Sequence, residues 1–260
     1  MTEWDPSNIR KTVLVVDDNR DIVEFIKSSL QDTYDVETAE HGEMALSIMA
    51  EETIDLVVSD VMMPGVDGFE LCKRIKNDIN FSHIPVILLT ARTTDESMLE
   101  GLQLGADDYI AKPFNMDMLA LRIKRIMEWS EKSHQKFRKK MDVNPSEITI
   151  TPLDEQFIQN AIKIVEEKMT DPNFSVVVLA QELCMSRSNL YKKLMAVTGL
   201  GPVEFIRTIR VKRGRYLLEN SQQQITEVAY AVGYNSLKSF SMNFKAEYGV
   251  TPSDFIKSRK

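Results

Sequence analysis

The sequence lacks any apolar run approaching the roughly 20 residues that span a bilayer, and it opens on Met1-Thr-Glu-Trp-Asp-Pro, which is no signal peptide. A membrane span and a secretory leader are therefore not expected, and neither is membrane contact by this segment. Cysteine is scarce. Cys72 and Cys184 fall in different halves, without the density of a disulfide framework or the spacing of a metal site. Their usage suits a reduced compartment, and the cytoplasm is the expected location. No internal repeat joins the two halves, and no low-complexity tract appears. What is present, 43% hydrophobic and 27% charged residues over a length of 260, suits a soluble globular protein of two ordinary domains.

Charge divides the chain. Residues 1–130 carry 12 Lys and Arg against 25 Asp and Glu, a net −13, whereas residues 131–260 carry 20 against 14, a net +6. Different partners are expected for the two halves, with a polyanion for the second.

In the first half, short apolar runs alternate with helical patterns. Val13-Leu-Val-Val runs into Asp17 and Asp18, and Asn19 can cap a helix bearing Ile22, Phe25, Ile26 and Leu30. Asp35 to Ala39 is a second strand, and Gly42 to Glu51 a second helix. Leu56-Val-Val-Ser ends at Asp60 before a Pro64-Gly65 turn, and Gly68 to Ile75 is the next helix. Pro85 to Thr90 is a fourth strand, with Met98, Leu99 and Leu102 on its helix. Asp108 to Pro113 is a fifth, with a helix from Asn115. Such alternation predicts a doubly wound, five-stranded parallel sheet of α/β class.

Sites in open α/β sheets lie beyond the carboxyl ends of the strands. Strands one, three, four and five end there in Asp17 and Asp18, Asp60, Thr90 and Lys112. Each alone has an ordinary reading as a cap, a strand end or a surface charge. Together they place acids, a hydroxyl and an ammonium at one crevice. Three carboxylates repel, so a hard divalent cation with oxygen ligands, Mg2+, is the natural occupant. A carboxylate in such a site can act as a nucleophile toward a phosphoryl group. Thr90 can hydrogen-bond a phosphoryl oxygen, and Lys112 supplies a cation for another. The Lys112-Pro113 bond can also be cis.

Residues of about 11–130 resemble a response-regulator receiver domain in the order and spacing of Asp17-Asp18, Asp60, Thr90, Tyr109 and Lys112-Pro113. The resemblance implies that Asp60 accepts phosphoryl from a histidine kinase, with Asp17 and Asp18 as the Mg2+ pocket. It also implies a metal contact from the Met62 backbone carbonyl, and Tyr109 as an aromatic switch coupled to Thr90. Asp107, Asp108, Arg122 and Arg125 resemble the charged dimer face of several receiver families.

A connector is expected over residues 131–152. The helix from Met116 runs through Trp129 into a polar stretch with Lys136, Arg138, Lys139 and Lys140; Asp142 to Pro145 breaks it, and Ile148 begins an extended segment. Residues 153–260 read as an all-α domain. A helix from Leu153 to Met169 precedes Val176 to Leu183, which reads as helix because Ala180 and Leu183 continue its face. A tight turn at Cys184 and a Ser186 cap open the next helix, a helix-turn-helix pattern. After a long helix from Pro202 bearing Arg207, Arg210, Lys212, Arg213 and Arg215, the pattern recurs. There Ala229 answers Ala180, and Gly233 answers Cys184.

Residues of about 153–257 thus resemble the AraC-type DNA-binding domain, on Ile225 to Val232, Gly233-Tyr234, the Phe240 and Phe244 spacing, and Gly249-Val-Thr-Pro252 with Phe255. The resemblance implies two recognition helices in successive major grooves of DNA. By position, Ser188, Tyr191 and Lys192 are base-reading candidates in the first. Lys238 and Met242, with Asn243 nearby, are those of the second. Arg187, Lys193 and Lys245 are candidates for phosphate. Two departures stand out: Cys184 where the family often has Gly, and Met242 where a polar or basic reader is common.

The expectation is a phosphorylation-controlled transcription regulator, not an enzyme beyond its own phosphorylation and dephosphorylation, acting as a phosphorylation-dependent homodimer. The alternatives are a phosphorelay or docking module, or a constitutive DNA binder with a vestigial receiver. The join between the halves looks most like the C-terminal part of bacterial hybrid two-component sensors, in which the cognate kinase lies in the same chain.

Overall fold

The computed structural model describes residues 10–91, 104–139, 151–171 and 173–258, and of residues 133–139 the backbone alone. The expected helix with Met98, Leu99 and Leu102 lies outside the described residues. So do the break at Asp142 to Pro145, the extended stretch at Ile148 and the side chains of Lys136, Arg138, Lys139 and Lys140. The chain divides into two compact units, residues 1–133 with 149–154, and residues 134–148 with 155–260.

Unit 1 is a five-stranded sheet in the order β2-β1-β3-β4-β5, all pairs parallel: β1 (Thr12–Val16), β2 (Asp35–Ala39), β3 (Leu56–Asp60), β4 (Val86–Thr90) and β5 (Asp108–Ala111). β1, β3 and β4 read as unbroken apolar runs because helices cover both faces. Alternate residues divide between the faces. Leu14, Val16, Val57, Val86 and Leu88 pack with α2 (Gly42–Glu51) and α3 (Gly68–Asn77). Val13, Val15, Leu56, Val58, Ile87 and Leu89 pack with α1 (Arg20–Leu30) and α4 (Met116–Lys139). Asn19 caps α1 as expected, its side chain accepting from Asp21 N and Ile22 N. One residue of the expected α1 face is misplaced. Val23, Ile26 and Leu30, spaced by three and four, form the buried stripe, and Phe25 lies exposed beside it.

Unit 2 is helical. After α5 (Pro152–Lys168) come α6 (Val176–Glu182), α7 (Arg187–Thr198), α8 (Pro202–Asn220), α9 (Ile225–Ala231), α10 (Leu237–Tyr248) and α11 (Pro252–Lys257). The valine run of α6 is helix, as Leu179 and Ala180 on one face require. α6–α7 and α9–α10 are two helix-turn-helix units that share one core with α8, through Leu190, Leu194, Phe205, Ile209, Phe240 and Phe244.

The two turns are closed alike. Met185 N donates to Ala180 O at 2.9 Å, and Tyr234 N to Ala229 O at 3.0 Å, so the small alanines occupy equivalent places. The residue before each donor is left-handed: Gly233 at φ +81°, and Cys184 at φ +55°. Cys184 is the one non-glycine with positive φ among the described residues. At Gly233 a Cβ would lie 1.8 Å from Met169 O, so glycine is required there by space as well as by φ.

Candidate functional site

The parallel register brings the four strand tips together. Asp60, last in β3, is paired with Leu89, one residue short of the end of β4 at Thr90. Thr90 in turn pairs with Ala111, next to Lys112. The chain can leave β3 sharply because α3 packs straight against its end. A Cβ on Gly68 would lie 2.1 Å from Asp60 O, so only glycine fits at that first helical position.

Asp17 and Asp60 are almost fully buried, and Asp18 is exposed. Lys112 Nζ lies 2.7 Å from Asp17 Oδ2 and 2.7 Å from Asp60 Oδ1, bridging two buried carboxylates. The second oxygen, Asp60 Oδ2, accepts from Met62 N at 3.1 Å, and Asn19 N donates to Asp17 Oδ1 at 2.9 Å. Burial pushes the Asp60 carboxyl above its usual range, more than the Lys112 hydrogen bond and charge pull it down. For Lys112 burial works downward, but the hydrogen bonds and charges of Asp17 and Asp60 prevail and raise it. The Lys112-Pro113 bond is cis.

One oxygen from each of Asp17, Asp18 and Asp60 lies within 4.8 Å of the others. Three hard oxygen donors at that separation fit a divalent cation such as Mg2+. Thr90 is buried at the edge of the crevice, and Tyr109 is buried two residues along from the Thr90 partner, Ala111. The Tyr109 hydroxyl has no hydrogen-bond partner among the described residues.

Three of the four residues expected on a charged dimer face are paired within the chain. Asp107 is engaged within the chain, by Lys76 Nζ at 2.7 Å and Val86 N at 2.8 Å, and the Asp108 carboxylate pairs with Arg122. Both acids neutralise cations of their own unit. Arg125 is exposed.

In unit 2 the outer face of α7 carries Arg187, Ser188 and Tyr191, all exposed, with Lys192 half-buried. Lys193 is a correction: it is 0% exposed, its ammonium 5.2 Å from the centroid of the Phe157 ring. Turned about 100° from Lys192 by the helix, it faces α5 and offers nothing to a phosphate. On α10, Lys238, Met242 and Lys245 are exposed. Asn243 is half-buried, its amide donating to Ser239 O on its own helix at 3.0 Å. Ser239, exposed beside Met242, is absent from the residues singled out by sequence, although counting from the Ser236 cap places it on the outer face.

The basic residues of α8 are largely spent inside the unit. Arg207 pairs with Glu204, and Arg210 donates to Met169 O at 3.2 Å. Arg215 pairs with Glu219 and stacks 4.8 Å from Tyr248 and 5.1 Å from Phe255.

Comparison with known proteins agrees with this geometry. A response regulator receiver domain model matches residues 13–124, and a helix-turn-helix domain model matches residues 179–258. "Histidine kinase P4" of Formosa agariphila is 43% identical over 246 residues, 95% of this chain and 18% of that protein. "Alkaline phosphatase synthesis transcriptional regulatory protein PhoP" of Bacillus subtilis is 38% identical over 146 residues, 56% of this chain and 60% of that protein. The chain thus spans less than two thirds of either relative. Among solved structures, "BeF3 Activated DrrB Receiver Domain" is 41% identical, covering 46% of this chain and 99% of that one with a TM-score of 0.43. Residues 13–124 are thus a response regulator receiver domain, and residues 179–258 a helix-turn-helix domain.

Proposed function

We propose that the chain is a phosphorylation-controlled transcription regulator in which Asp60 takes a phosphoryl group from the phosphohistidine of a histidine kinase. The observation that carries this reading is the setting of Asp60. It is a buried carboxylate held by Lys112 and Met62 N, with two further acids beside it, in a chain that also carries two helix-turn-helix units. An Asp60 oxygen attacks phosphorus, the phosphorus–nitrogen bond to the kinase imidazole breaks, and the leaving nitrogen keeps the electron pair and takes up a proton. The product is an acyl phosphate on Asp60.

Asp17, Asp18 and Asp60, with the Met62 carbonyl, would hold Mg2+, which when bound offsets the negative charge gathered on the phosphoryl oxygens. Lys112 neutralises a further oxygen, and the Thr90 hydroxyl donates to another. Drawing Thr90 toward the phosphoryl group alters the space beside Tyr109. That buried ring, whose hydroxyl has no hydrogen-bond partner among the described residues, is the element that takes up the change.

Homodimerisation is supported by a stripe on α4: Met118, Leu121, Arg125 and Trp129, spaced i, i+3, i+7 and i+11, are all exposed. DNA binding, with one recognition helix in each of two successive major grooves, rests on α7 and α10. The similarity to Histidine kinase P4 supports a cognate kinase within the same longer chain.

Incubation with acetyl phosphate and Mg2+, followed by intact mass measurement, tests the chemistry. One phosphoryl adduct on the wild type and none on Asp60→Asn is expected. Equal adducts on both would refute Asp60 as acceptor.

A further inference from the structure

The outer face of α10 is unlike that of α7. Viewed down α10, the exposed residues Lys238, Ser239, Met242, Lys245 and Ala246 span one arc, and Met242 stands near its middle, 65% exposed. No acid lies on that arc. Counting from the serine caps Ser186 and Ser236, Met242 occupies the place of Lys192 in α7. At this shared position the first unit offers an ammonium and the second a thioether, which cannot donate a hydrogen bond and accepts one only weakly.

Met242 puts apolar surface at the centre of that face, and a partner that meets it with an apolar group gains the burial of that surface. Lys238 and Lys245, one turn before Met242 and one turn after it, identify that partner's charge as negative. A polyanion that also presents an apolar group to a helix is duplex DNA read from the major groove. There the one apolar feature of a base edge is the 5-methyl of thymine. We infer that Met242 reads thymine by contact with its 5-methyl group, so that the half-site under α10 is specified by a methyl while the lysines flanking Met242 hold phosphates. This rests on the DNA-binding reading above and adds to it the base that the second unit selects.

Arg187, Ser188 and Tyr191 form the exposed face of α7, so the two half-sites are read by different chemistry. The site on DNA is accordingly asymmetric within one protein copy.

The test uses the full chain and a duplex enriched by it from a randomised 30-base-pair library. Each thymine is replaced in turn by uracil, which removes the methyl and leaves the hydrogen-bonding edges intact. For the wild type, one or two adjacent replacements in one half-site should weaken binding about fourfold. Met242→Ala should bind the thymine and uracil duplexes alike at those positions, and keep the wild-type response elsewhere. Exposure of Met242 makes loss of folding in this variant no concern, and a circular dichroism melt checks it. If no thymine shows methyl dependence, or Met242→Ala retains the wild-type profile, the inference is overturned while DNA binding stands. In that case Met242 serves a protein partner. If no duplex is enriched at all, both readings fall.

Discussion

Cys184 carries the clearest single-residue strain. Its φ of +55° costs an L-residue about 1–2 kcal/mol, and its side chain is exposed, so no packing repays that cost. Cys184→Gly should stabilise unit 2 by about 0.5–1 kcal/mol once the larger chain entropy of glycine is deducted, as read from urea midpoints. The two thiols should also differ in reactivity. Burial holds Cys72 up at about 11, whereas Cys184 is open to solvent. Iodoacetamide at pH 8 should therefore label Cys184 alone in the native protein and both after unfolding, as peptide mass mapping would show. Because Cys72 ionises about two units more readily when unfolded, its contribution to stability declines as pH rises from about 9 toward 11. At this scale the receiver pocket was legible in the sequence. Asp17, Asp18, Asp60, Thr90 and Lys112 sit at strand ends, and parallel strands leave such ends nowhere to go but one crevice. Lys193 was not legible. Which face of α7 meets Phe157 depends on how α5 packs, and a lysine stem is apolar enough to enter a core.

Among elements, the join of β3 to α3 is the tightest. Gly68→Ala would force a Cβ into the Asp60 carbonyl and should cost at least about 1–3 kcal/mol, with Asp60 displaced and its phosphorylation slowed. Within α7, the basic residue that faces outward can be told apart from the buried one by salt. Arg187→Ala, on the exposed face of α7, should lower the slope of log affinity against log salt by about 1, while Lys193→Met should leave the slope unchanged. Equal changes in both would return Lys193 to the phosphate set. The sequence pattern identified every element that the structure describes in the sheet, because continuous apolar runs and caps such as Asn19 and Ser186 are local signals. It could not allot the arginines of α8. Arg210 and Arg215 find a carbonyl, a carboxylate and two aromatic rings on other helices, and no local pattern encodes that. The same holds for Asp107 and Asp108, whose cations lie 31 and 14 residues away.

For the molecule as a whole, the acidic and basic halves coincide with two units that each bury a core of their own. Calorimetry should accordingly resolve two transitions. Mg2+ with beryllofluoride at a hundredfold excess over its dissociation constant should raise the receiver transition alone by about 2.7 kcal/mol. Asp60→Asn should abolish that rise. Such selectivity would place the ligand in unit 1 but leave open whether unit 2 responds to it. The central claim is that the state of Asp60 governs the DNA-reading domain, and DNA affinity measured with and without acetyl phosphate and Mg2+ tests it most directly. The wild type should bind its enriched duplex more tightly when phosphorylated, with Asp60→Asn fixed at the unphosphorylated affinity. If wild type and Asp60→Asn bind equally under both conditions, the receiver does not control this domain.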